Sequence, residues 1–400
     1  MSVKPDLPAS TDITVVGGGI AGTSTAFFIA SETDLNVTLI EKNNIASGST
    51  GDSSAILRHH YGDQEIYSSM AWWSHQFYRD FEQKTGEVIA HADNPMVRFG
   101  QENTEAGRYA EDGYDTLSSL GIPVSKYEKD ELPGRYPMMA GVDTFDFGVS
   151  DDKAGYSDGA DAANGFARAA QRNEATIVTD VDVTSITVTD DSVTGVETEN
   201  GHIECSSVVV AAGPWTQRLG ADVGVTIPIV TSREQVLILE PPKEYKDNYP
   251  SLVPTTARPG GDWYIRPDFG DGILIATHHT GKEVNPDHYS RNPDEETIIK
   301  LTDEISNVVP ELGESGLEGK YCGIYSTTPD HDFILDQAGP DGCYFACGFS
   351  GHGFKHGPAI GKIMADLINH GTTDLVDVEF FSLDRFQDSP HGHGKAVDDV

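Results

Sequence analysis

Asp12-Ile-Thr-Val-Val-Gly-Gly-Gly-Ile-Ala-Gly22 is a β-branched run that passes straight into glycines at Gly17, Gly19 and Gly22. The G-x-G-x-x-G spacing alone is a weak signal. Its context makes it specific: a strand precedes it, the helix-compatible stretch Thr23 to Ala30 follows, and a second strand, Asn36 to Ile40, ends on Glu41 about twenty residues beyond the last glycine. Each part has a physical reason. Gly17 permits the tight strand-to-helix turn, and Gly19 lets backbone N–H groups approach a pyrophosphate. Gly22 lets the helix pack on the strand, so that the turn through Ile20 and Ala21 presents a positive helix end to the phosphates. Glu41, followed by Lys42, would accept hydrogen bonds from an adenosine ribose and repel the 2′-phosphate of NADP. The stretch predicts a cofactor that contains ADP.

The rest of the chain sets bounds. Four hundred residues, 38% of them hydrophobic, exceed one ordinary core and predict two domains. No apolar run approaches a membrane span, and the N-terminus lacks a basic region followed by an apolar one, so a soluble cytoplasmic protein is expected. A formal charge of −37 argues against nucleic acid and anionic membranes as partners. The excess of Asp and Glu fits a salt-rich, halophilic cytoplasm, where counterions screen self-repulsion. Cys205, Cys322, Cys343 and Cys347 form no C-x-x-C pair and have no histidine at zinc spacing, so buried free thiols and no metal are expected. Of the 14 histidines, His391 and His393 fall in a Gly/Pro/Asp-rich tail, residues 386–400, that reads as disordered.

Taken in order, Ala46-Ser-Gly-Ser-Thr-Gly-Asp-Ser-Ser54 is built of small hydrogen-bonding residues suited to wrapping a polar ligand, Ser49 and Thr50 among them. It leads into Arg58-His-His-Tyr61, a cation, two imidazoles and a phenol that read either as a site or as a solvated turn. Glu65 to Phe81 reads as a helix whose Trp73, Phe77 and Phe81 are core. Residues 91–139 mix short strands with Pro and Gly. After the helix Ala160 to Arg172 come three alternating stretches ending near Val181, Thr189 and Glu199, the last two joined by Asp190-Asp191 as a hairpin. The strand Ser207 to Ala211 ends in Ala212-Gly213-Pro-Trp215, small residues that would let backbone approach a nucleotide. Gln235 to Leu239, Trp263 to Arg266 and Gly272 to His278 suit an antiparallel sheet with the helix Asp294 to Val309 on it. Finally Tyr344 to Lys355 carries a second glycine-rich turn, Gly348, Gly351 and Gly353, into a helix opened by Pro358 and capped at Gly371.

Together the fingerprint with Glu41, the Ser-rich turn before Arg58, Ala211-Ala-Gly-Pro-Trp215, Tyr325-Ser-Thr-Thr-Pro-Asp330 and Gly348-Phe-Ser-Gly-His-Gly-Phe-Lys355 resemble the FAD-dependent D-amino-acid oxidase superfamily, nearest its sarcosine oxidase and glycine oxidase branch. The resemblance runs from about Ile13 to Leu383. It implies an α/β fold: a Rossmann-type FAD-binding domain with a central parallel sheet (1–90, 140–225 and 325–385) and an α+β substrate domain with a mostly antiparallel sheet (91–139 and 226–324). FAD would lie against Gly17, Gly19, Ile20, Ala21, Gly22, Glu41, Lys42, Ser49, Thr50, Val181, Ala212, Gly213, Trp215, Gly348, Gly351, Gly353, Phe354 and Lys355. In that pattern Arg58 and Lys355 hold a substrate carboxylate, and Tyr264, Tyr325 and His278 line the pocket. The implied reaction is hydride transfer from the carbon attached to nitrogen to the flavin, with the imine then hydrolysed by water.

Three positions depart from the pattern. The cysteine that tethers flavin in sarcosine oxidases falls at Gly323, with Cys322 one place early and therefore on the other strand face; non-covalent FAD is expected. Basic residues near the flavin's reactive edge fall at Gly51 and Ala55, and the lysine associated with oxygen activation falls at Leu274. The acceptor thus stays open between oxygen and a quinone-type molecule or partner subunit, as in a dehydrogenase. A flavoprotein assembly factor without turnover is the reading outside enzymes, since fold alone does not entail function. Which amine is oxidised, and whether the chain forms oligomers, stay open.

Overall fold

A computed structural model describes residues 7–241, 249–252, 263–279, 281–388 and 391–393. The opening stretch forms the strand Ile13–Val16 and the helix Ile20–Glu32. That strand is central in a six-stranded sheet ordered Ile334–Gln337, Cys343–Cys347, Ser207–Val210, Ile13–Val16, Val37–Ile40, Thr176–Val178, parallel apart from its first member. Its inner strands are buried throughout because both faces are covered, and period-two alternation divides them. Val15, Leu39 and Val209 join the core beneath the helices Ile20–Glu32, Gly159–Arg172 and Gly357–His370. Val16, Ile40, Val208 and Val210 join a second core beneath the antiparallel strands Val183–Thr189, Ser192–Thr198 and Gly201–Glu204. The expected hairpin is present, with Asp190 and Asp191 at φ 49° and 62°, the left-handed conformation that a two-residue turn requires.

A nine-stranded sheet, antiparallel except where Ser251–Leu252 meets Met96–Gly100, forms the other half of the molecule. The helix Glu295–Val308 packs on it through Leu301 and Ile305, against Leu237, Ile265 and Ile275. Two sequence expectations need correction here. Residues 91–139 contain, besides strands, the helix Glu105–Ser119, whose N-cap Thr104 accepts from the Gly107 N–H; its low apolar content concealed it. Phe147–Asp151, placed with the 140–225 segment, pairs instead with Met96–Gly100 and Val124–Glu128 in the nine-stranded sheet, because non-local antiparallel register leaves no local mark. The tail also differs in part. His393 donates its N–H to Asp330 at 3.2 Å beside the Arg385–Asp330 ion pair, while 389–390 and 394–400 lie outside the described residues.

Aromatic residues fill the helical layer. Phe81 meets Phe166 edge-on at 4.8 Å and Phe77 stacks on Phe166 at 5.7 Å, so the helix Glu65–Arg79 and its continuation join the core as the spacing predicted. Helices Ile20–Glu32 and Gly357–His370 cross where Gly361 lies over Ser24, with an added Cβ only 2.5 Å from the Ser24 carbonyl carbon. Gly361→Ala should therefore cost about 1–3 kcal/mol through overpacking. Gly371→Ala, at φ 73° with nothing within 4 Å, should cost only the roughly 1 kcal/mol of a left-handed alanine. Urea unfolding of both variants checks the order; equal losses would show that the helix crossing is not tight.

Candidate active site

An elongated cavity runs between the two sheets, with the glycine turn at one end. Gly17, at φ 114°, could not carry a Cβ, which would stand 2.3 Å from the Ala211 carbonyl oxygen; at Gly22 it would stand 1.9 Å from the Gly17 carbonyl oxygen. The backbone is thus bare at this end of the cavity, as close approach by a pyrophosphate would require. Thr50, from the Ser-rich turn, accepts from the Ile20 N–H at 3.0 Å and ties that turn to the helix start. Glu41 accepts from the Gly18 N–H at 2.6 Å and the Asn43 N–H at 2.8 Å, which hold its carboxylate on the cavity wall. Opposite, the Lys42 ammonium lies 3.2 Å from the centre of the Trp215 ring, and Trp215 donates its indole N–H to Asp287 at 2.7 Å. That bond, together with Lys42, holds Asp287 below the usual carboxylate range. Asp287, Asp182 and Arg218 on this wall carried no sequence signal, because their loops come together only in the fold.

Of the expected cofactor residues, Gly17, Gly19, Ile20, Ala21, Glu41, Lys42, Ser49, Thr50, Val181, Ala212, Gly213, Trp215, Gly351, Gly353 and Phe354 line this cavity. Gly22 and Gly348 do not: Gly22 serves helix packing, and Gly348, at φ 68°, turns the chain over Thr328. The donor set fits an ADP-containing group, with an acidic residue at the ribose end, bare backbone at the phosphates and a second glycine turn beyond. At the start of the helix opened by Pro358 the Ala359 N–H goes to Ser74 Oγ at 3.1 Å, and the cavity is reached by Gly353 and Phe354.

At the far end stand Tyr264 and Tyr325, with hydroxyls hydrogen-bonded to each other and both pushed up by burial. Gly351 packs on the Tyr325 ring, where a Cβ would stand 2.4 Å away. His278 meets Tyr264 edge-on at 5.8 Å and Tyr325 at 6.3 Å, and its Nδ1 is buried with no hydrogen-bond partner among the described residues. Arg58 lies 4.1 Å above the Tyr61 ring and donates to the His60 carbonyl. Arg58, Lys355 and His278 do not line the main cavity but are drawn together behind it, close enough to perturb one another. Burial, reinforced by the Arg58 guanidinium, pushes Lys355 well below the usual lysine range. Burial, then His279, Arg58 and Lys355, does the same to His278. Two cations thus share one buried place, and Lys355 has no ion pair among the described residues.

The departures also have structural readings. Gly323 lines the cavity, pairs with Glu234 and faces Asp52, whereas Cys322 pairs with Gln235, is fully buried and does not line it. Burial pushes the Cys322 thiol up to about 11. Gly51 is pressed to the Ala46 carbonyl, leaving 2.3 Å for a Cβ, and Ala55 is buried at φ 51°. Leu274 packs with Met96, Val236, Tyr264 and Ala276 on the cavity side of its strand.

The family model described as FAD dependent oxidoreductase matches residues 12–367. The chain belongs to that family. This FAD dependent oxidoreductase is 26% identical over 385 residues to monomeric sarcosine oxidase of Bacillus sp. (strain NS-129), covering 94% of this chain and 96% of the relative. It is 27% identical to human mitochondrial sarcosine dehydrogenase, covering 98% of this chain but 43% of that protein. Among solved structures it resembles L-proline dehydrogenase from P. horikoshii, with a TM-score of 0.86 and 25% identity over 98% of this chain and 100% of the other.

The perturbed lysine yields a directional test. A bound carboxylate favours the charged ammonium, so affinity is highest below the lowered pKa of Lys355 and falls as pH rises through it, well short of the ordinary lysine value. Acetate or propionate binding, read from the flavin absorbance of the FAD-loaded protein, should weaken in this way. Lys355→Met should bind about ten- to a hundredfold more weakly and lose the alkaline limb. A limb that persists in Lys355→Met assigns the titration to another group.

Proposed function

We propose that the chain oxidises the C–N bond of a small amino acid or N-methylated amino acid, giving an imine that water hydrolyses. The observation that carries this reading is the pair of buried cations, Arg58 and Lys355, beside Tyr264, Tyr325 and His278 at the far end of the cofactor cavity. Bound FAD supplies the acceptor for a hydride from the carbon attached to nitrogen. Arg58 and Lys355 hold the carboxylate by charge-assisted hydrogen bonds and so orient the α-carbon. The same positive charge disfavours a protonated amine nearby, which keeps the nitrogen lone pair available to drive hydride departure. Tyr264 and Tyr325 stay protonated and His278 stays neutral, so the polar groups facing the amine are uncharged donors and acceptors. Sarcosine, proline and N-methyl amino acids are the compounds to screen. Anaerobic bleaching of the flavin by one of them, abolished by removing the carboxylate from the compound, is the expected result; bleaching by simple amines at equal rates would sink the clamp.

FAD is held without a covalent bond, in keeping with the inward position of Gly323 and the burial of Cys322 away from the cavity. Acid precipitation should leave the yellow colour in the supernatant. Colour in the pellet counts against this.

A dehydrogenase, with an acceptor other than oxygen, is favoured by a specific site. Transfer of the first electron to oxygen creates superoxide, which a nearby cation stabilises, and Leu274 is apolar and buried where that cation is expected. His60, lowered to about 3 by burial and then by Arg98, and His278, lowered by burial, are neutral and supply no charge there, and Arg58 and Lys355 are engaged by the substrate carboxylate. The guanidinium on that face, Arg266, pairs across strands with Leu274 but is ion-paired to Asp268 at 2.9 Å. Substrate-reduced enzyme should therefore reoxidise slowly in air and quickly with a soluble quinone, and Leu274→Lys should speed the reaction with oxygen. Fast oxygen reaction in the unaltered protein, unchanged by Leu274→Lys, makes it an oxidase. The acidic surface further supports a salt-rich, cytoplasmic setting. Among the described residues, no helix is long and apolar enough to cross a membrane.

A further inference from the structure

A chain of buried side chains outside the cavity is used by none of the steps above. Asp151 and His59 are both fully buried; Asp151 accepts from the His59 backbone N–H at 2.6 Å and meets His59 Nδ1 at 2.9 Å. His59 Nε2 lies 2.9 Å from His75 Nδ1, with the rings nearly parallel. His75 Nε2 lies 3.0 Å from His91 Nε2, and the Asp93 carboxylate completes a group of three ligand atoms all within 4.8 Å of one another. His75 comes from the helix Glu65–Arg79, whereas His91 and Asp93 share one face of the strand His91–Asp93, two residues apart.

The carboxylate at the inner end sets the polarity of the whole chain. Asp151 can only accept, so His59 carries its proton on Nδ1. Where His59 Nε2 accepts from His75 Nδ1, His75 Nε2 is left as a lone pair aimed outward. It points at His91 Nε2, next to a carboxylate whose side chain is 60% exposed. When His91 carries its proton on Nδ1, two imidazole lone pairs and a carboxylate oxygen converge on one point open to water. Carboxylate–histidine–metal sites have this construction, in which the far ring nitrogen is fixed by an anionic partner.

We propose that His75, His91 and Asp93 form a binding site for a borderline divalent transition-metal ion such as Zn2+, Ni2+ or Cu2+, with His59 and Asp151 as its supporting shell and water completing the coordination. Two imidazoles and one carboxylate suit these ions and not Mg2+ or Ca2+, which require oxygen ligands. The groups facing the site also fit it. Arg79, one helical turn after His75, now approaches Asp93 at 3.6 Å, a long and half-exposed contact that a stronger partner displaces. An ion here joins the helix Glu65–Arg79 to the strand His91–Asp93. It also bears on His59, the chain neighbour of Arg58, and so on the segment that carries one half of the carboxylate clamp.

The site is tested on the FAD-loaded full chain, independently of turnover. Calorimetric titration with ZnCl2 should reveal one saturable site, weakened at least tenfold in His91→Ala and in Asp93→Asn. The Cu2+ form should display hyperfine coupling to imidazole nitrogens in its electron paramagnetic resonance spectrum, lost in His91→Ala. Thermal unfolding should move upward with Zn2+ in the unaltered protein and not in His91→Ala. His393→Ala is the control, because Asp330, Asp332 and His393 form the other candidate group among the described residues. Binding that disappears in His393→Ala but survives in His91→Ala overturns the proposal. So does the lack of any saturable site, or displacement of Zn2+ by equimolar Mg2+.

Discussion

The structure depends on a close approach of backbone to backbone. Gly17 rests against the Ala211 carbonyl and Gly22 against the Gly17 carbonyl, with no room for a side chain at either point. The helix Ile20–Glu32 can therefore leave the strand Ile13–Val16 immediately and lie flat on the sheet, which brings its N-terminus to the edge of the cavity. Gly361 repeats the device where Gly357–His370 crosses the same helix, and that second helix carries Gly353, Phe354 and Lys355 at its entrance. Both ends of the site thus hang from one tightly packed helix. Burying an ordinary side chain in either gap would separate the two glycine-rich turns that line the cavity.

Charge is distributed in the opposite sense inside and outside. The formal charge is −37, yet the place behind Tyr325 gathers Arg58, Lys355 and several neutral imidazoles. A field of one sign on the surface and the other in a dry pocket favours a small anion only after it has been desolvated by a close fit, since in a low-dielectric interior each charged contact counts for more than in water. The lowered pKa of Lys355 expresses the same fact from the protein's side: burial and the neighbouring Arg58 guanidinium disfavour the charged ammonium.

Two groups of buried histidines differ in their surroundings. His278 and His279 crowd the tyrosines of the cavity and are driven neutral by burial and by the neighbouring cations. His59 and His75 instead descend in a hydrogen-bonded line from a buried carboxylate toward the surface. Spacing along the chain distinguishes neither kind, because what differs is the partner at the end of each line.

By itself the sequence determined the elements whose cause is local. A β-branched run into Gly-x-Gly-x-x-Gly compels a strand, a turn and a helix; Asp190-Asp191 compels a hairpin; Pro358 and Gly371 delimit a helix; and Glu41 follows at the reach of one crossover. These rules act within a few residues or one βαβ unit, so they survive without knowledge of the fold. Arg58, Lys355, Tyr264, Tyr325 and His278 were legible only through motifs that resemble a family, since nothing in their separate surroundings says that they meet. Tertiary structure alone decided that Phe147–Asp151 crosses to the nine-stranded sheet and that the low-apolarity stretch Glu105–Ser119 is a helix packed there. It also decided that Asp287 braces Trp215 and Lys42, and that His75 faces His91. Each of these depends on partners distant in the chain, and the free energy that selects them comes from burial and pairing that exist only once the two sheets have closed on each other.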